Sequence, residues 1–182
     1  MPKNHVVITG GGGSGKSSLI EYFIAQGYCA VREAAREQIR LSFEQNSDAL
    51  PWADIIAFSK NVQQQMVEDY ELLPEATFCF YDRCLLDVLS YILKDDISAY
   101  DSLLLDIEKH RYYPTVFVLP PWQEIFTKDN ERTEDFEDTI VAFDVIKHTY
   151  ESNGYEIVEL PKVSVEGRAA FILNHLKEHG IE

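Results

Sequence analysis

The sequence predicts an α/β fold, a parallel sheet with helices on both faces, and three observations carry that reading. An apolar run near the start passes directly into a glycine-rich loop and then into a helical pattern. Apolar segments of strand length alternate with amphipathic segments of helix length from there onward. No repeat, low-complexity tract or linker interrupts the 182 residues, so a single domain over 1–182 is expected.

The first strand is Val6 to Ile8, continuous in apolar character as befits a strand covered on both faces. Leu19, Ile20, Phe23 and Ile24 follow the loop at helical spacing, and Gly27 marks the helix end. A second strand is expected at Tyr28 to Arg32, a helix over Ala34 to Phe43, a turn over Gln45 to Pro51, and a long helix over Trp52 to Tyr70. Thr77 to Tyr81 reads as the third strand, with helices over Leu85 to Leu93 and Tyr100 to His110. Thr115 to Leu119 is the fourth, stopped by Pro120 and Pro121. A charged stretch, Thr127 to Asp138, leads into a helix ending near Asn153 with Gly154 as its stop. Tyr155 to Leu160 is the fifth strand and Val165 to Leu176 the last helix. Right-handed crossovers between parallel strands distribute these helices over both faces, giving three layers. Ligands of such sheets gather at the carboxyl ends of the strands.

Composition narrows the partners. With 31 acidic against 16 basic residues the net charge is −15, a field that repels nucleic acid and anionic membrane surfaces. Small anions still bind through local amides and cations, because solvent screens the wider field. No apolar run approaches the roughly 20 residues of a membrane span, and the first strand begins too early for a signal peptide. A cytoplasmic protein is expected. Cys29, Cys79 and Cys84 are expected as buried free thiols, since three sulfurs with no neighbouring histidine leave a zinc site incomplete.

Chemistry concentrates at the strand ends. Gly10-Gly11-Gly12-Gly13-Ser14-Gly15-Lys16-Ser17 matches G-x-x-x-x-G-K-S, a bare loop whose amides turn inward around phosphate and whose following helix points its positive end at the same anion. Lys16 neutralises the β- and γ-phosphates, Ser17 coordinates Mg²⁺, and Ser18 completes the binding run. Asp82 ends the third strand, where a carboxylate holds Mg²⁺ opposite Ser17, the alternative being a cap on the next helix. Arg83 replaces the glutamate that motor ATPases place after this aspartate; it suits a phosphoryl group or an acceptor, against a surface pair with Asp87 at i+4. Glu33 ends the second strand and is the candidate base for an attacking hydroxyl, the alternative being a dipole-favoured helix start. Arg36, one turn on, is an acceptor ligand. Arg132, in a lid segment of about residues 122–138, offers a planar fork to the transferred phosphate, the alternative for this segment being a solvated charge cluster. Lys162, after the fifth strand, is placed to border a purine, the alternative being a surface lysine. Thr127-Lys128-Asp129 resembles a guanine-reading [NT]-K-x-D signature, although Asn130 follows it, so the donor is ATP or GTP.

Together these motifs resemble the kinase branch of the P-loop NTPases, the nucleotide, nucleoside and shikimate kinases, which implies a five-stranded sheet of order 2-3-1-4-5 with a helical lid. More narrowly, V-R-E-A-A-R, Y-D-R-C-L-L-D-V-L-S-Y, E-R-T-E-D-F and G-Y-E-I-V-E-L-P are similar to those of small stand-alone predicted ATPases bearing the AAA name. That group is related to the ribosylnicotinamide kinase domain of a bacterial NAD regulator. The resemblance implies phosphate and Mg²⁺ binding by Lys16 and Ser17, a D-R motif at Asp82 and Arg83, an acidic position at Glu33 and a lid position at Arg132. The function expected is an ATP- and Mg²⁺-dependent phosphotransferase acting on a small acceptor, nucleoside- or nucleotide-like. The alternative is a regulatory NTP-binding module that switches a protein partner. The sequence leaves the acceptor and the oligomeric state open.

Overall fold

A computed structural model describes residues 4–74, 77–94, 100–126 and 135–181. Five strands form one sheet in the order β2-β3-β1-β4-β5. They are β1 (His5–Gly10), β2 (Ala30–Val31), β3 (Cys79–Asp82), β4 (Thr115–Leu119) and β5 (Glu156–Glu159), all paired in parallel. The helices are α1 (Lys16–Ala25), α2 (Ala34–Gln45), α3 (Ile55–Leu72), α4 (Leu85–Lys94), α5 (Asp101–Lys109), α6 (Phe136–Ser152) and α7 (Val165–Glu178).

Alternation along the central strands divides the core in two. Val6 and Ile8 of β1, Phe80 of β3, and Phe117 and Leu119 of β4 face α1 and α7, packing on Leu19, Phe23 and Ile172. Val7, Tyr81, Val116 and Val118 face the other way, onto Phe58, Leu86, Ile107 and Tyr150 from α3, α4, α5 and α6. Every residue of β1 and β4 is buried, as a central parallel strand requires. Each fully buried Leu, Ile or Phe contributes roughly 1.5–3 kcal/mol, so both faces are held firmly around β1.

Three expectations are corrected. The second strand has shrunk to Ala30–Val31, a short edge bonded only to β3, and short edges resist unwanted pairing. Helix α3 begins at Ile55 because Asp54 caps it, accepting from the Ala57 amide at 2.9 Å. Trp52, expected inside that helix, lies in the preceding turn. Cys29 and Cys79 are joined by a disulfide instead of remaining free. Pairing of Ala30 with Phe80 sets the two cysteines side by side, Cα to Cα 4.7 Å. Cys84 is free and buried. Among the described residues no helix is long and apolar enough to cross a membrane.

Candidate active site

A cavity of about 650 Å³ lies at the carboxyl ends of the strands. One end is the loop between β1 and α1. Gly10 has φ +143°, and a Cβ there would meet the Leu119 carbonyl oxygen at 2.5 Å. Gly15 caps α1 with φ +89°, and its Cβ would lie 2.8 Å from Arg168 Nη1. Glycine is therefore required at Gly10 for conformation and for space, and at Gly15 for its left-handed conformation. Ser14 Oγ donates to the Gly11 carbonyl at 2.9 Å, closing the loop on itself. Lys16 is 5% exposed, and its Nζ donates to the carbonyls of Gly10 and Gly11 at 2.9 and 2.8 Å. Burial, then repulsion by Arg83, lowers its pKa from the usual lysine value, with Asp82, Glu33 and Asp87 opposing. Ser17 and Ser18 are exposed and line the cavity, as do Gly11, Gly12 and Gly13.

The other end is built from side chains. Glu33 begins α2 but caps nothing; its carboxylate instead accepts from Arg83 Nε at 2.8 Å and from Arg36 Nε at 3.3 Å. Burial would push the Glu33 carboxyl up, but Arg83, Lys16 and Arg36 outweigh it and hold it well below the usual range. Arg83 pairs with Asp87 as well, Nη1 to Oδ1 at 3.2 Å, so the ion pair expected at i+4 is present but buried, not at the surface. Beyond this cluster Ile39 and Phe58 with Val62 and Met66 make an apolar wall, and Trp52 stands at 57% exposure.

Asp82 lies behind the cavity lining, 4% exposed, with Oδ1 buried and without a hydrogen-bond partner among the described residues. Burial and the neighbouring Glu33 raise its pKa to about 7, against Lys16 and Arg83. The helix-cap alternative for Asp82 belongs instead to Asp87, whose Oδ2 accepts from the Cys84 amide at 2.9 Å. An orphaned carboxylate oxygen beside a lysine is a suitable donor for a hard cation, so Asp82 and Ser17 fit Mg²⁺.

Lys162 is exposed and outside the lining; Val165 and Arg168 occupy that end. Arg132 and the Thr127-Lys128-Asp129 signature lie outside the described residues. Sequence reasoning missed Arg168, whose Nη1 donates to the Ser14 carbonyl at 3.2 Å and whose guanidinium carbon lies 5.9 Å from the Trp122 ring centroid. It also missed Thr9 and Tyr150, both of which bond Asp87. Sequence spacing of 63 to 154 residues separates the hydrogen-bonded partners, and no local pattern marks them.

A family model described as an AAA domain matches residues 5–168. No curated protein matches the chain by sequence. Among solved structures it is similar to deoxyadenosine kinase from M. mycoides, with products dCMP and a flexible dCDP bound, at 16% identity and TM-score 0.67 over 96% of this chain and 99% of that one. NadR protein in complex with NR gives 16% identity and TM-score 0.75, covering 100% of this chain and 52% of that protein, so the chain spans about half of it. Shikimate kinase from Acinetobacter baumannii in complex with shikimate gives 11% identity and TM-score 0.62, covering 100% and 97%. The five-stranded order and the loop between β1 and α1 make the architecture that of P-loop kinases.

Proposed function

We propose, from the premise that this chain belongs to the AAA domain family and is folded like the P-loop kinases, that it is an ATP- and Mg²⁺-dependent phosphotransferase acting on a small-molecule acceptor. A nucleoside- or nucleotide-like acceptor suits the compartment, with GTP as the alternative donor. One observation carries the reading. The cavity is continuous from the phosphate loop, past the Glu33–Arg83 pair, to the apolar wall of Ile39, Phe58 and Met66, leaving room for a second substrate beyond the phosphates.

The residues divide the work along that cavity. Loop amides and Lys16 bind the phosphates, and Lys16 would exchange its two carbonyl acceptors for phosphate oxygens. Ser17 and Asp82 would hold Mg²⁺, which supplies neutralisation of charge on the phosphate oxygens. Glu33 faces the acceptor side as an ionised carboxylate and orients the attacking hydroxyl by accepting its hydrogen bond. A carboxylate held so low is a weak base, so it receives the proton late, which a loose phosphoryl-transfer transition state permits. Arg83 remains fully charged beside it and faces the negative charge spread over the transferred group. Cys84 takes no part as a nucleophile, because burial first and Asp87 second raise its thiol to about 12.

The test is ADP release in the presence of Mg²⁺ and ATP, with nucleosides, nucleotides and vitamins offered in turn as acceptors. Stimulation by one of them, with a phosphorylated product detected by mass spectrometry, is the expected result. Turnover that no acceptor stimulates, together with a protein partner that separates ATP- from ADP-bound forms, would replace this reading with that of a regulatory switch.

A further inference from the structure

Asp87 is 3% exposed and carries a charge that burial makes costly unless every lone pair is met. Four donors meet it. Oδ2 accepts from the Cys84 amide at 2.9 Å and from Tyr150 Oη at 2.5 Å; Oδ1 accepts from Arg83 Nη1 at 3.2 Å and from the Thr9 hydroxyl. The Cys84 contact alone would be ordinary, an acidic residue in the first turn of α4 reaching back to cap it. The Oδ1 contacts do nothing for the cap. They join β1, one residue before the phosphate loop, to the arginine that grips Glu33.

Arg83 needs such support. Its φ is +74°, a left-handed conformation that costs a non-glycine residue energy and persists only where the surroundings fix it. Its amide donates to the Ile8 carbonyl at 3.0 Å, and Asp87 then holds both the following amide and the guanidinium. Tyr150 reaches this hub from α6, fully buried, its hydroxyl kept protonated by burial and by Asp87. Cys84 Sγ lies 3.1 Å from the same hydroxyl.

We infer that Asp87 is a positioning residue that fixes Arg83 against Glu33, and that Tyr150 is the tie that fixes Asp87 from α6. The chain of contacts runs Tyr150–Asp87–Arg83–Glu33, so the acceptor end of the site is set from a helix that does not itself bond Glu33 or Arg83. Only the catalytic consequence rests on the phosphotransferase reading; the positioning stands on contacts alone.

Solvent exchange of the Arg83 Nε–H, followed by NMR on ¹⁵N-labelled protein, reads the far end of that chain. In Tyr150→Phe the ring still fills its site while one bond to the carboxylate is lost. The Arg83 Nε–H is expected to exchange about 10-fold faster or more, the weight of one hydrogen bond to a charged group, while β1 and β4 amides keep parental rates. Asp87→Asn should accelerate it further; should that variant not fold, Tyr150→Phe decides alone. An Arg83 Nε–H unchanged in Tyr150→Phe, or accelerated only in step with the core amides, overturns the inference. With an acceptor in hand, Tyr150→Phe should lower kcat and leave the KM for ATP unaltered. Faster Nε–H exchange without any acceptor turnover would remove the phosphotransferase reading and keep the positioning.

Discussion

The two ends of the cavity are held by different means. At the phosphate end the backbone does most of the work: a glycine loop folds on itself and Lys16 bonds its carbonyls, partners within six residues of one another in sequence, with Arg168 the distant donor to the Ser14 carbonyl. At the acceptor end side chains do the work, with Glu33 bonded to Arg83 across 50 residues, Arg83 to Asp87, and Asp87 to Tyr150 across 63. The first end is largely a local motif, with Arg168 and Leu119 as its distant contacts. The second is assembled only once the whole fold is in place, and its charges neutralise one another, so a change in one member is felt by the rest.

The sharpest way to break the comparison is Glu33→Gln. Its loss should cut acceptor phosphorylation by roughly 10²–10⁴-fold, the usual weight of a positioned proton acceptor, while ATP affinity in calorimetry stays nearly constant. Parental turnover in this variant would withdraw Glu33 from the chemistry. Lys16→Ala should do the opposite, weakening ATP binding by about 10–100-fold, as expected for roughly 1.5–3 kcal/mol of hydrogen bonding to charge, with adenosine binding little altered. Equal losses for ATP and adenosine would mean that Lys16 supports the fold and not the phosphates.

A smaller effect tests the boundary between the ends, where Asp82 sits. Its folded pKa is raised to about 7, so its contribution to stability is fully present below the ordinary carboxylate value of about 4 and is lost as pH rises through about 7. Asp82→Asn should therefore raise the melting temperature of the ligand-free protein at pH 8 by a few degrees and flatten its fall between pH 5 and 8. The variant should gain no further stability from Mg²⁺ with ATP beyond that given by ATP alone. A melting temperature lower than the parent's at pH 8 would show that the buried carboxylate is satisfied after all.

The same division explains what the sequence could tell. Strand, loop and helix around Gly10 to Ser17 were legible because each signal is local: apolar run, glycine spacing, helical periodicity. The sheet order followed from the resemblance those motifs carry. Glu33 and Arg83 were legible as residues at strand ends, but their pairing was not, since nothing near either residue announces the other. Tyr150 reads as one more aromatic on the buried face of a helix, and only the neighbouring carboxylate distinguishes it from core. The Cys29–Cys79 bond was hidden for a related reason: it depends on the register of an edge strand two residues long.

The chain holds only two tryptophans, and they stand at opposite ends of the site. Trp52 is solvent-facing beside Pro51 at the apolar wall, and Trp122 lies against the Arg168 guanidinium next to the phosphate loop. Their emission is expected to differ accordingly, since one indole is largely exposed beside the Phe43 ring and the other lies near a cation. In Trp122→Phe and in Trp52→Phe, each made alone, one indole remains at one end of the site, so if the phosphotransferase reading holds, the order in which donor and acceptor enter is expected to be readable by stopped flow without any attached dye.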